Sequence, residues 1–115
     1  MPIILDLPYP PSVNHYWGQR GNHRFIGAKG KAFRLAVNEE AEGVVPIEGR
    51  VAIYVALFPP DRRKRDIDNV LKSLLDALEH AGCFTDGDHQ VDEINIKRCE
   101  IIPGGGCNVI LTSLK

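Results

Sequence analysis

The sequence predicts an α+β domain, a mixed β-sheet with two packed helices. Three observations predict it. Ile67, Val70, Leu71, Leu74, Leu75, Leu78 and Ala81 recur at the 3.6-residue spacing of an amphipathic helix. Residues 51–58 are near-continuously apolar and rich in β-branched side chains, the pattern of a central strand covered on both faces. Two more strand-like segments flank the turn Pro103-Gly104-Gly105-Gly106.

In chain order, Ile3–Leu7 reads as a first strand, stopped by Pro8. Residues 8–30 are rich in Pro, Gly, Asn and His and read as a long loop or irregular hairpin, with Arg24-Phe25-Ile26 as a short strand inside it. Loops this long in compact domains tend to be functional or mobile. Residues 29–42 read as a helix, from Phe33, Ala36, Val37 and Ala41, with Gly43 as the stop. Pro59-Pro60 ends the central strand. The second helix covers residues 67–81, with Asp68, Lys72, Asp76 and Glu79 on its polar side and Gly82 closing it. Residues 91–102 form a strand whose alternation changes phase near Lys97-Arg98, which predicts a bulge there. Residues 107–114 return as the last strand.

At 115 residues the chain is predicted to be one domain, residues 1–115. Charged residues are 25% and apolar residues 43%, an ordinary globular composition. The longest apolar run is far short of the ~20 residues of a membrane helix, so no membrane partner is expected. Met1-Pro2-Ile3-Ile4-Leu5-Asp6 has neither a basic n-region nor a cleavage site, so no secretory signal is expected. Cys83, Cys99 and Cys107 are odd in number and form no Cys-x-x-Cys, which indicates neither a disulfide framework nor a zinc site; a cytoplasmic location fits. The formal net charge of −1 argues against a basic nucleic-acid binder only if charge is uniform, and it is not. Arg62-Arg63-Lys64-Arg65 packs four cations together, while acids gather at Asp86, Asp88, Asp92 and Glu93.

The chemistry lies where the central strand meets the second helix. Asp66 sits near the helix N-cap and Asp68 in the first turn, so both can lean toward one point outside the helix. Two carboxylates there can share a hard divalent cation such as Mg²⁺, which takes oxygen ligands and keeps several waters. Bound metal can activate a water and neutralise charge on a phosphate. Structural roles also fit these residues: aspartate caps helices and suits the dipole, and Asp68 with Lys72 is an i,i+4 pair. The adjacent cations Arg62, Arg63, Lys64 and Arg65 weigh toward a phosphodiester substrate, since cations hold the DNA backbone and acids hold the metal. Lys72, one turn after Asp68, could orient the scissile phosphate.

A third acidic group lies in Thr85-Asp86-Gly87-Asp88-His89-Gln90, which fails the EF-hand spacing and could be a simple Asp-Gly turn. A helix over 67–81 is ~22 Å long. The residues after it can span ~20 Å when extended. Asp88 can therefore only just return to Asp66 within one subunit. Either the helix is shorter, or Asp88 completes the site of a partner.

Arg65-Asp66-Ile67-Asp68-Asn69-Val70-Leu71-Lys72 resembles the Arg-Asp-x-Asp-Asn-x-x-Lys signature of the RusA-type Holliday junction resolvases. Pro10-Pro11-Ser12-Val13-Asn14 resembles the family's N-terminal Pro-Pro-Ser-x-Asn motif, and Asp88-His89-Gln90-Val91 its Asp-x-Gln-Val motif. The resemblance spans nearly the whole chain, in order. It implies Asp66, Asp68 and Asp88 as catalytic, metal-binding aspartates, Lys72 as the essential lysine, Mg²⁺ or Mn²⁺ as cofactor, a homodimer, and four-way DNA junctions as substrate, resolved by paired nicks during recombination and repair. Such proteins are typically bacterial and often prophage-encoded. The loop before Asp88 is about a residue longer than the family pattern, so Asp86 competes for the third position; the spacing to Gln90-Val91 favours Asp88.

Arg62, Arg63, Lys64, Arg65, Asn14 and Asn69 are the expected DNA contacts. His15, Tyr16 and Trp17 could also stack on DNA, or pack the long loop onto the core. His23, His80 and His89 show no ligand spacing. Two alternatives share the fold: a non-catalytic branched-DNA-binding module, and a less selective flap or branched-DNA nuclease. A structural adaptor domain is the third.

Overall fold

The computed structural model describes residues 2–114. A four-stranded sheet is built from β1 (Ile3–Leu7), β4 (Arg50–Phe58), β5 (Val91–Arg98) and β6 (Gly106–Leu114), in the order β1-β6-β4-β5. β6 pairs antiparallel with both β1 and β4, and β4 pairs parallel with β5. The sheet is therefore mixed. Its parallel pair needs a crossover, which α3 (Asp68–His80) supplies. α2 (Ala28–Glu40) packs beside α3.

One face of the sheet carries the core. Register places Leu5, Val109 and Val55 in one row and Ile3, Leu111 and Ile53 in the next, all buried. From α3, Val70, Leu74, Ala77 and Leu78 cover these rows, and from α2, Phe33 and Val37. The apolar stripe of residues 67–81 is thus the face that the core claims, as its periodicity requires.

Three readings change. The central strand is interior to the sheet but covered on one face only. Tyr54 is 41% exposed, in a row with Ile4 at 70% and Ile110 at 39%. The apolar run reflects an interior position in the sheet rather than a second layer. The bulge lies at the start of β5, where Val51 pairs with Val91 and Ala52 with Glu93, so Asp92 is the extra residue; its carboxylate accepts the Arg50 guanidinium at 3.0 Å. The phase change at Lys97-Arg98 is instead the end of the strand. Cys99 and Ile102 leave the ladder and donate singly to Leu57 and Pro59 carbonyls.

Residues 8–30 are more ordered than a loop. They hold a helical turn α1 (Val13–Tyr16), then β2 (Trp17–Arg20) and β3 (His23–Ile26), a separate two-stranded hairpin. Gly30 seats α2 against α1: a Cβ there would fall 2.2 Å from the Tyr16 carbonyl oxygen. Cys83 and Cys107 are buried free thiols, raised by burial to about 11 and about 12, and unreactive for that reason. Among the described residues no helix is long and apolar enough to cross a membrane.

Candidate active site

The turn between β4 and α3 is organised by Asp61. Its carboxylate accepts the Arg63 backbone N–H at 2.9 Å and Arg65 Nη1 at 2.8 Å. The Arg65 hydrogen bond, then the Arg63 amide, hold this carboxyl down at about 2. Arg65 is thereby committed to the turn and lies 5.7 Å from the Tyr9 ring centroid. Its own carbonyl accepts from Arg98, the last residue of β5. The four cations divide by this geometry. Arg65 braces the turn, Arg63 is exposed and only 3.5 Å from Asp61 at its tip, and Arg62 and Lys64 are exposed with no carboxylate partner among the described residues.

Asp66 and Asp68 emerge from this turn. The position before α3 is held by Ile67 in helical conformation, with no side-chain cap bond. Asp66 contributes only its backbone carbonyl, which accepts the Asn69 N–H at 3.2 Å. Both carboxylates are exposed, and neither joins an ion pair among the described residues. Lys72 is exposed one turn on. It reaches no carboxylate; its Nζ lies 5.9 Å from the Trp17 ring centroid. The capping role of Asp66 and the Asp68–Lys72 ion pair are both unrealised.

Asp66, Asn69, Arg63, Lys64 and Arg65 line a cleft of 760 Å³. Its opposite wall is Tyr9-Pro10-Pro11-Ser12, His15 and Lys29. The Pro-Pro-Ser stretch is locked to α3 through Ser73, whose hydroxyl donates to the Pro11 carbonyl at 2.6 Å. A second concavity of 460 Å³ on the other side of the turn is lined by Arg62, Arg98 and Ile101 among others. Asn14 is exposed on α1, outside both linings.

The third acid lies elsewhere. Asp88 opens a 3₁₀ turn, Asp88–Gln90, that leads into β5. Gly87 packs against Glu79, near the C-terminal end of α3, and the Arg50 guanidinium donates to the His89 carbonyl at 2.6 Å. Asp66 and Asp68 sit at the other end. In a strand-helix-strand unit with parallel strands, the loop leaving the first strand and the loop entering the second lie at opposite ends of the sheet. Thirteen residues of α3 separate them, about 18 Å at 1.5 Å per residue. Accordingly, no group of three acidic, His or Cys side chains able to hold a metal occurs among the described residues. Asp86 pairs with His89 at 3.0 Å, whereas Asp88 is exposed and unpaired among the described residues.

Gln90 organises that loop, a role its place in a motif did not announce. It is 3% exposed. Its Oε1 accepts the Asp86 and Gly87 N–H groups, and its Nε2 donates to the Ile47 and Gly49 carbonyls at 2.9 and 2.8 Å.

A half-buried cluster also involves Asp76, one turn beyond Lys72 on α3. Tyr16, fully buried, donates its hydroxyl to Asp76 and accepts Arg34 Nε at 2.8 Å, while Arg34 bonds Asp76 at 2.7 Å. Burial and the bond to Asp76 push the phenol up to about 12. Burial raises the Asp76 carboxyl, but the bonds from Tyr16 and Arg34 outweigh it and hold it below its ordinary value. The i,i+4 series Asp68, Lys72, Asp76 was the available signal. Tyr16 is packing, not a DNA contact. Replacing it with Phe should cost about 1–3 kcal/mol in urea unfolding, because Arg34 and Asp76 lose a buried partner. The phenol's proton is held more tightly in the folded state, so its contribution is full below pH 10 and fades as pH rises toward 12. Tyr16→Phe should flatten that alkaline loss.

The family profile described as Endodeoxyribonuclease RusA matches residues 8–106. The chain is 41% identical over 112 residues to the crossover junction endodeoxyribonuclease rusA of Enterobacteria phage HK97, covering 95% of this chain and 92% of that protein. It is 33% identical to the protein of the same name from Enterobacteria phage 82, and 31% identical to that from Escherichia coli K12, each over 96% of this chain and 93% of the relative. With a basic cleft lined by the unengaged Asp66, a second unengaged carboxylate two residues on, and relatives that match over nearly their whole length, the chain belongs to the RusA family of endodeoxyribonucleases.

Proposed function

We propose that this protein is a Mg²⁺-dependent endonuclease that resolves four-way DNA junctions by paired symmetric nicks, and that it acts as a homodimer. The observation that carries the reading is the state of Asp66 and Asp68. Both are exposed, Asp66 in the lining of a cationic cleft and Asp68 two residues on in the first turn of α3, and neither caps the helix or pairs with a cation among the described residues. Exposed carboxylates that pair with no cation, close to cations that pair with no carboxylate, suit a substrate that brings negative charge and a hard metal ion.

Asp66 and Asp68 would hold the ion, with Asp88 as third ligand; an all-oxygen donor set fits Mg²⁺, and Mn²⁺ as a substitute. When bound, the ion supplies charge neutralisation at the phosphate and a more acidic water. The chain's own residues do the rest. Arg62, Arg63 and Lys64 hold the DNA backbone, Arg65 keeps the turn in shape, and Asn69 lines the cleft beside Asp66. Lys72, steadied over Trp17, faces the same side as Asp68 and would stabilise negative charge on the phosphate.

The separation of the acids favours a homodimer, given Asp88 as the third ligand. Because the strand order keeps Asp88 at the far end of α3, the ligand set closes only when a second copy brings its Asp88 to the first copy's Asp66 and Asp68. A two-fold pair of such sites also matches two opposed cuts in one junction.

The test is cleavage of a synthetic four-way junction, a flapped duplex and a linear duplex, each with Mg²⁺, Mn²⁺ or chelator. Metal-dependent symmetric nicks on the junction, and far slower cutting of the other two, are expected. Equal rates on all three would replace this reading with a less selective nuclease, and binding without cutting in either metal would replace it with a non-catalytic module.

A further inference from the structure

We infer that the β2–β3 hairpin is a second DNA-binding element, a basic ribbon that grips the sugar-phosphate backbone of a duplex arm beside the cut site. The inference rests on the nuclease reading and extends it to a surface distinct from the β4–α3 turn.

Charge is the first argument. Between Asp6 and Glu39 the chain has no aspartate or glutamate, yet it carries Arg20, Arg24, Lys29, Lys31 and Arg34. The near-zero net charge hides this strongly basic N-terminal third. Of these cations, Arg34 is taken by Asp76. Arg20 and Arg24 are exposed and have no carboxylate within salt-bridge distance among the described residues.

The second argument is how the two arginines are held. Register puts Trp17 opposite Ile26 and Gln19 opposite Arg24 on one face, with Gly18 opposite Phe25 and Arg20 opposite His23 on the other. Arg24 lies 4.3 Å over the Trp17 ring, and Arg20 lies 6.0 Å from the Phe25 centroid. Each face of the ribbon thus seats one guanidinium on an aromatic ring. Such seating orders the side chain without neutralising it, so its donors stay available to an anion. Phe25 can lie flat across the ribbon only because position 18 is glycine; a Cβ there would meet the ring at 2.5 Å.

Placement is the third. Trp17, at the root of the hairpin, carries Arg24 on its ring and has Lys72 at 5.9 Å from the same ring. Just past the hairpin, Lys29 lines the cleft that holds Asp66. The ribbon therefore continues the basic surface away from the cut site. It stands apart from the main sheet, and its four-residue strands reach about 13 Å at ~3.4 Å per residue. A duplex major groove, about 12 Å wide, admits a two-stranded ribbon, with phosphates on both rims for cations on its two faces.

The experiment measures junction affinity in chelator from 50 to 200 mM salt for wild type, Arg20→Ala/Arg24→Ala and Arg20→Lys/Arg24→Lys. Two lost phosphate contacts should lower the magnitude of the log-affinity versus log-salt slope by about 1.8, so that the advantage of wild type over the alanine pair shrinks about twelvefold from 50 to 200 mM. The lysine pair should keep the wild-type slope. A wild-type slope in the alanine pair overturns the inference, as does an equal loss in the lysine pair. If wild type binds and cuts the junction while the alanine pair keeps its slope, the ribbon alone fails. A wild type that binds no branched DNA removes both readings.

Discussion

Asp68→Asn should bind a four-way junction as tightly as the native protein and cut it more slowly by a factor on the order of 10²–10³ or more, with Asp66→Asn behaving alike. Asparagine keeps the shape of aspartate and removes its charge. Any loss must then come from charge at the site or from a structural role the charge fulfilled. The structure leaves little of the second: neither carboxylate caps α3 or joins an ion pair among the described residues, and only Asp68, in the first turn, gains from the helix dipole. Unfolding free energies should therefore stay within about 1 kcal/mol of wild type, the most that an exposed first-turn carboxylate gains from the helix dipole. Binding in chelator should hold or improve, because a negative group beside the phosphates is gone. Mobility shifts in chelator, cleavage in Mg²⁺ and a urea melt read the three quantities separately. Full cleavage by either variant would remove Asp66 and Asp68 from the chemistry.

Mixing two dead proteins should restore partial activity. Asp68→Asn and Asp88→Asn homodimers are each expected to be inactive. In the mixed dimer, one site combines native Asp66 and Asp68 with the partner's native Asp88, and the other is doubly defective. Half of freely exchanged dimers would carry one working site. On a supercoiled plasmid with an extruded cruciform, that site should yield nicked circles and no linear product, whereas the native protein gives linears. If all three aspartates acted within one subunit, neither site of the mixed dimer would work. No recovery after co-expression would then contradict the shared site.

The second helix was legible because Val70, Leu74 and Leu78 repeat with the helical period and the core takes them as they stand. The candidate carboxylates were legible through the order of Arg65, Asp66, Asp68 and Lys72. The hairpin was not. Trp17-Gly18-Gln19-Arg20 packs on the core only at its root, through Trp17, so burial imposes no alternation along it, and Gly21 at φ 62 in the turn was one signal among many glycines. The bulge was misplaced for a similar reason. Asp92 is extra in β5 because Arg50 claims it across the ladder, a long-range partner that local alternation cannot reveal. The division among the cations was equally hidden: Arg65 and Lys64 are neighbours in sequence, and only the fold of the turn gives one to Asp61. The distance from Asp66 to Asp88 was bounded by chain length, but its value depended on the parallel pairing of β4 and β5.

Gln90 has a consequence for assembly. A free loop loses about 1–2 kcal/mol of conformational entropy for each residue it freezes. The side-chain hydrogen bonds of Gln90 freeze the loop around Thr85, Asp86 and Gly87 while the single chain folds. In the proposed dimer, Asp88 would consequently be offered to the second copy on a segment that has little disorder left to lose. Joining two copies would then be closer to rigid docking than to folding upon binding, and the affinity of such a pair would not carry the cost of ordering its own active site.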